Sequence, residues 1–168
     1  GFQIDQRTLQ LMDEAIPLIR NVSGDRLRHE LNLILQEERF TAMLNRLETL
    51  GLLAAIHPDL RAPSGAHAEL LPTLLNQPIE DEWGVPEKIA NLPARLALAY
   101  LIWLLPLGTE TIRQIADRLR LPETLHVHLE EAARLIEELP GLTAASPSQM
   151  TFRLDAVPPL SLFAVSRL

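Results

Sequence analysis

Apolar residues recur along this chain at three- and four-residue spacings, the repeat of a helix with one buried side, and no convincing two-residue alternation interrupts them. The pattern predicts a first helix capped by Asp5, with Leu9, Met12, Ile16 and Ile19 on one side and a kink at Pro17. Ser23 is placed to cap the next helix. Asp25 in its first turn suits the helix dipole, and Leu27, Leu31, Ile34 and Leu35 form its apolar stripe. A third helix is expected from near Thr41, turning Met43, Leu44 and Leu47 inward. It ends at Gly51, a residue that takes the left-handed conformation without strain. A short apolar turn, Leu53 to Ile56, leads into His57-Pro58.

Residues 62–92 change character. Pro63, Pro72, Pro78 and Pro86 predict a linker with short helical pieces. Pro93 then opens the most apolar helix, over 94–105. Its run from Leu96 to Leu105 is too short to span a bilayer and reads as a buried core helix. Gly108 and Thr109 begin a helix using Ile112, Ile115, Ala116 and Leu119. Pro122 begins another, with Leu125, Leu129, Ala133, Ile136 and Leu139 inward and an end at Pro140-Gly141. Ser146-Pro147-Ser148-Gln149 is a capping box with proline at the first helical position. Pro158-Pro159 introduces a last helix still apolar at Phe163 and Val165 near Leu168, a pattern expected of a chain cut from something longer. The expectation is an all-α fold of about eight to ten helices in two packed helical subdomains. Residues 1–61 would form a neck-like bundle, 62–92 a Pro-rich linker and 93–168 a body-like cluster.

Composition narrows the chemistry. With 47% hydrophobic residues among 168, the chain can bury a core. The absence of cysteine removes disulfides, thiolate metal sites and thiol nucleophiles, and fits a cytoplasmic protein. Fourteen of the fifteen cations are Arg, a residue whose rigid fork suits phosphate, although a GC-rich genome gives the same bias. The net charge of −7 argues against a strongly basic nucleic-acid binder. Residues 1–61 hold nine acids and seven Arg, against thirteen acids and eight bases in the remainder, so phosphate contact is expected in the first third.

No metal site is expected. His126 and His128 diverge by about 200° on a helix and read as surface residues, while Glu80-Asp81-Glu82 reads as a solvated acidic turn. Residues 112–136 could be taken for a DNA-binding helix-turn-helix. The would-be recognition helix has no Arg or Lys before Arg134, and its carboxylates would repel phosphates, so DNA is an unlikely partner.

Ser23-Gly24-Asp25-Arg26-Leu27-Arg28-His29-Glu30-Leu31 carries the strongest signal. On a helix, Arg26 and Glu30 are one turn apart and can pair, while Leu27 and Leu31 face the core. It is preceded by the opening Gly1-Phe2-Gln3-Ile4-Asp5 with Thr8. It is followed by Leu50-Gly51-Leu52-Leu53, Ile56, Pro58 and Leu60. In this order and spacing the series resembles the region behind the catalytic head in the tRNA nucleotidyltransferase/poly(A) polymerase family, the class that contains bacterial CCA-adding enzymes.

The resemblance implies a helical neck and body that hold a tRNA acceptor end or another RNA 3′ end toward a head domain. Arg20, Arg26, Arg28, Arg39 and Arg46 are the candidates for RNA-phosphate contact or for bracing the head–neck junction, with Glu30 and Gly51 structural. Family catalysis needs two carboxylates on a strand, binding Mg²⁺ around a nucleoside triphosphate. No such pair is recognisable here, so these residues are expected to have no catalytic site and to bind no cofactor themselves. Mg²⁺ and nucleoside triphosphate belong to the missing head of the parent enzyme. Where several bacterial members carry a metal-binding His-Asp pair, this chain has Trp103 and Leu104, which argues against a metal phosphohydrolase. The competing expectation, supported by the acidic balance, is a helical protein-interaction scaffold with no RNA role. Neither reading includes a membrane.

Overall fold

A computed structural model describes residues 4–168. Among them ten α-helices follow one another with one two-stranded hairpin, an all-α architecture. Gly1, Phe2 and Gln3, the start of the opening motif, lie outside the described residues.

Helix α1 (Gln6–Ala15) starts where Asp5 accepts from the Thr8 hydroxyl at 2.6 Å and the Thr8 amide at 3.1 Å. Those two bonds, the hydroxyl first, hold the Asp5 carboxyl below its ordinary range. Pro17 then tightens the backbone into a 3₁₀ turn, Ile16–Asn21. Ser23 caps α2 (Gly24–Leu35), accepting from the Arg26 amide at 3.4 Å. Helix α3 (Phe40–Thr49) buries Phe40 and Leu44. Met43, expected inward, lies at the edge of that stripe and is 38% exposed. Gly51, at φ +74°, reverses the chain into α4 (Leu52–Ile56).

The proline-rich stretch is more ordered than its composition predicts. It holds α5 (Ala66–Asn76), which continues through Pro72 and buries Leu71, Leu74 and Leu75. Packing against the core offsets the donor that proline removes. The hairpin follows, β1 (Lys88–Ile89) antiparallel to β2 (Leu92–Pro93), with Ile89 opposite Leu92. Ala90 and Asn91 both take positive φ between the strands.

Helix α6 (Ala94–Leu104) is the centre of the molecule. Every residue of it except Arg95 is buried, as expected of a helix apolar on all sides. Against it pack α5, α8 (Glu123–Leu142) and α10 (Pro159–Ser166); α7 (Thr109–Leu119) packs on α8 and α2, and α9 (Pro147–Asp155) lies between α8 and α10 in sequence. The α7 stripe is buried at all four expected positions, Ile112, Ile115, Ala116 and Leu119. The capping box at Ser146 and Gln149 forms.

Further local expectations fail. Leu139, expected inward, is 40% exposed. Helix α8 does not stop at Pro140-Gly141. Proline removes its own donor and crowds the carbonyl one turn back, but the amides after it stay available, and that of Thr143 reaches the Leu139 carbonyl at 3.2 Å. His128 is not a surface residue but sits in the core, 7% exposed, where α8 meets α10. Its Nδ1 lies 3.1 Å from Ser161 Oγ, and that hydroxyl donates to the His128 carbonyl at 2.8 Å. Because the single hydroxyl proton is committed to the carbonyl, Nδ1 must carry its own proton and donate to Oγ. Burial lowers the imidazole pKa, which keeps the ring neutral.

One apolar cluster runs from Leu31 in α2 through Leu60 and Leu71 to Ala164 in α10, so the neck-like and body-like segments share a core. Tyr100 and Trp103 reach out of α6 to join them. The Tyr100 hydroxyl donates to Asn32 Oδ1 at 2.8 Å, and the Trp103 indole donates to the Arg61 carbonyl at 2.7 Å. Desolvation pushes the Tyr100 phenol far above its ordinary pKa, so it stays a donor. Trp103 and Leu104 are both buried core residues.

Candidate nucleic-acid interface

The Ser-Gly-Asp-Arg-Leu-Arg segment folds into a latch. Helix α7 ends with Arg120 in the left-handed conformation, at φ 50° and ψ 50°. The start of α2 is pressed against that end. A Cβ on Gly24 would lie 2.3 Å from the Arg118 carbonyl oxygen, so only glycine allows the approach. Arg28 spans the junction, donating to the carbonyls of Leu119 (3.4 Å) and Arg120 and to Asp25 Oδ1 at 2.8 Å. Its charge thus meets the negative end of α7. Asp25 also receives Arg120 at 3.2 Å, and Arg118 donates to the Ile19 carbonyl at 3.1 Å.

This arrangement sorts the five candidate arginines. Arg28 is half-buried and its guanidinium is occupied by an internal carboxylate and two carbonyls. It braces the first third of the chain against α7. The expected pair of Arg26 with Glu30 does not form. Asp25 is the carboxylate that the segment uses, and Arg26 and Glu30 both remain exposed. Arg20, Arg26, Arg39 and Arg46 are exposed, and among the described residues none of their side chains has a hydrogen-bond or ion-pair partner. Arg39 and Arg46 are brought together. Arg39, the N-cap residue of α3, and Arg46, in its last turn, lie seven residues apart and line one open cavity of about 460 Å³ with Ala42, Met43, Glu37 and Glu38. Arg20, at the end of the 3₁₀ turn, and Arg26, in the first turn of α2, are not part of that lining. Gly51 takes the left-handed conformation, at φ +74°.

Residues 1–62 match the sequence family described as "probable RNA and SrmB-binding site of polymerase A". They form a poly(A)/CCA polymerase-related RNA-binding region. The four exposed candidate arginines all stand on this RNA-binding region, and so do Arg28 and the exposed Arg7. No curated protein matches the chain significantly.

Sequence reasoning missed the partners of the RNA-binding region, because Leu119, Arg120, Tyr100 and Trp103 are remote in the chain. The one legible signal was Gly24, a glycine inside a helix start where alanine would favour the helix.

Elsewhere the geometry offers little to other chemistries. Among the described residues, no three His, Asp or Glu side chains come together to hold a metal ion. Glu80 of the acidic turn lies 3.4 Å from Arg167 in an ion pair, and Asp81 and Glu82 are exposed. The α7–α8 pair has the outline of a helix-turn-helix, but Arg134, the only Arg or Lys on α8, is paired to Glu131 at 2.7 Å. No described helix is long and apolar enough to cross a membrane.

Proposed function

We propose that this chain is the RNA-holding neck and body of a cytoplasmic, template-independent RNA nucleotidyltransferase of the CCA-adding or poly(A) polymerase type, presenting an RNA 3′ end to a catalytic head. The single observation that carries this reading is the family match over 1–62, a segment on which Arg20, Arg26, Arg39 and Arg46 stand exposed without internal partners. Arg39 and Arg46 are the phosphate contacts, because they line one open cavity together. Arg28 keeps the neck in register with the rest of the fold.

Mg²⁺ and nucleoside triphosphate, which a two-metal nucleotidyl transfer requires, do not fit the carboxylates present here. The Glu80-Asp81-Glu82 turn is solvent-facing and Glu80 is committed to Arg167. The proposal therefore assigns them to the head and gives this chain no catalytic residue. A second reading, a helical interaction scaffold, draws on the net charge of −7 and on Phe152, 81% exposed on α9.

A gel-shift titration against tRNA and single-stranded RNA separates the two. RNA handling predicts binding that weakens steeply with salt and falls further in an Arg39→Ala, Arg46→Ala double variant. Failure of the unmodified chain to shift either RNA at low salt overturns it in favour of the scaffold.

A further inference from the structure

We infer that the RNA track does not end with the matched 62 residues but crosses onto Arg95 of α6, which holds a second backbone position of the same single-stranded RNA. The inference rests on the RNA-binding reading above.

Arg95 is an anomaly of its helix. All ten other residues of α6 are buried, whereas Arg95 is exposed. Its only side-chain bond among the described residues is to a neutral acceptor, Asn76 Oδ1 at 3.0 Å, so its charge has no carboxylate partner. The surface around it is concave and continuous with the α3 cavity. Glu37 and Glu38 line the Arg39–Arg46 cavity and also a second, of about 170 Å³, which Asn76 and Arg95 line as well. Arg95 with Gln36, Pro93 and Leu96 then lines a third, of about 230 Å³.

The charge along this path is ordered. Arg46 and Arg39 stand at one end and Arg95 at the other, with Glu37 and Glu38 between. A polyanion laid along it is attracted at the two ends and repelled in the middle. Only a flexible strand can place its phosphates at the ends and bow its backbone away from the carboxylates. A single strand does this; a stiff duplex, with its closely spaced phosphates, does not. Arg95 also lies in the first turn of α6, where the helix dipole adds to its positive field. Nothing in the packing of α6 requires an arginine at this exposed position.

The test is fluorescence anisotropy of the full chain with a labelled oligoadenylate of about a dozen nucleotides, titrated at several salt concentrations. Four variants are compared: Arg95→Ala, Arg95→Lys, Asn76→Ala, and Arg134→Ala as a distant control. Arg95→Ala is expected to weaken binding about tenfold and to lower the slope of log affinity against log salt by about 0.7, one phosphate contact on a single strand. Arg95→Lys should restore the slope. Asn76→Ala removes the internal bond but not the charge and should leave the slope alone, as should Arg134→Ala.

If the unmodified chain binds and Arg95→Ala binds equally well with the same slope, the inference is overturned while the RNA-binding reading stands. It is also overturned if Arg95→Ala and Asn76→Ala lose affinity alike with unchanged slope, because Arg95 then acts only through the fold. If the unmodified chain does not bind, the parent reading fails and takes this one with it.

Discussion

Replacing Gly24 by alanine sets two physical effects of opposite sign against each other. Gly24 is the first residue of α2 and its backbone is helical, so helix propensity alone favours alanine by up to about 1 kcal/mol. The added methyl, however, would lie 2.3 Å from the Arg118 carbonyl oxygen and 3.1 Å from both the Leu119 carbonyl carbon and Arg120 Cγ. Arg120 Cγ can move, but the two backbone atoms cannot give without displacing the end of α7. Overpacking of this kind costs about 1–3 kcal/mol. The displacement also lengthens the bonds from Arg28 to the Leu119 and Arg120 carbonyls, about another 1 kcal/mol. The net expectation is a destabilisation of about 1–3 kcal/mol, read as a melting temperature lower by roughly 2–10 °C for a chain of this length. Differential scanning calorimetry and urea unfolding measure it. A melting temperature equal to or above that of the unmodified protein would mean that propensity wins and that the latch is looser than described.

Four further outcomes follow from the same contacts. Arg28→Ala should cost about 1–2 kcal/mol in urea unfolding, discounted for partial exposure, and Arg28→Lys should recover less than half, because one ammonium cannot span two carbonyls and Asp25; full recovery by lysine would deny the bridging geometry. Arg120→Gly should be neutral or stabilising by up to about 1 kcal/mol, since it relieves a left-handed backbone at the expense of one exposed ion pair; a clear loss of stability would contradict this. Tyr100→Phe should lower stability by about 1 kcal/mol by leaving Asn32 Oδ1 without its donor, checked by urea unfolding. His128, its pKa lowered by burial, takes up a proton in the unfolded chain before it does in the folded one. Stability should therefore be flat above the ordinary histidine pKa of about 6.5 and fall as pH drops through it toward the lower folded value. In His128→Gln this part of the melting-temperature profile should flatten; an unchanged profile would remove His128 as its source.

Much of the fold was legible because helix-forming signals are local. Asp5, Ser23 and Ser146 mark helix starts through bonds to residues three positions away, and Gly51 marks an end through its own left-handed backbone. The α7 stripe also needed nothing beyond periodicity, since its four apolar residues span a single helix face. The misreadings have one cause. The intrinsic preferences of Pro72, Pro140 and His128 point to helix breaks and to the surface, whereas a helix packed on a core tolerates a lost donor and a buried imidazole finds a serine thirty-three residues away.

The order of residues by itself determined a helical protein with an apolar central helix, an acidic balance and an RNA-binding signature confined to its first third. Tertiary structure decided which arginine does what. Arg26 and Arg28 are two positions apart on one helix, yet the first is free and the second is locked onto the end of α7. Local sequence offers only neighbours one turn away, Glu30 to Arg26 and Asp25 to Arg28. The carbonyls that lock Arg28 belong to a distant helix end that the core brings alongside, and that depends on packing summed over the whole chain.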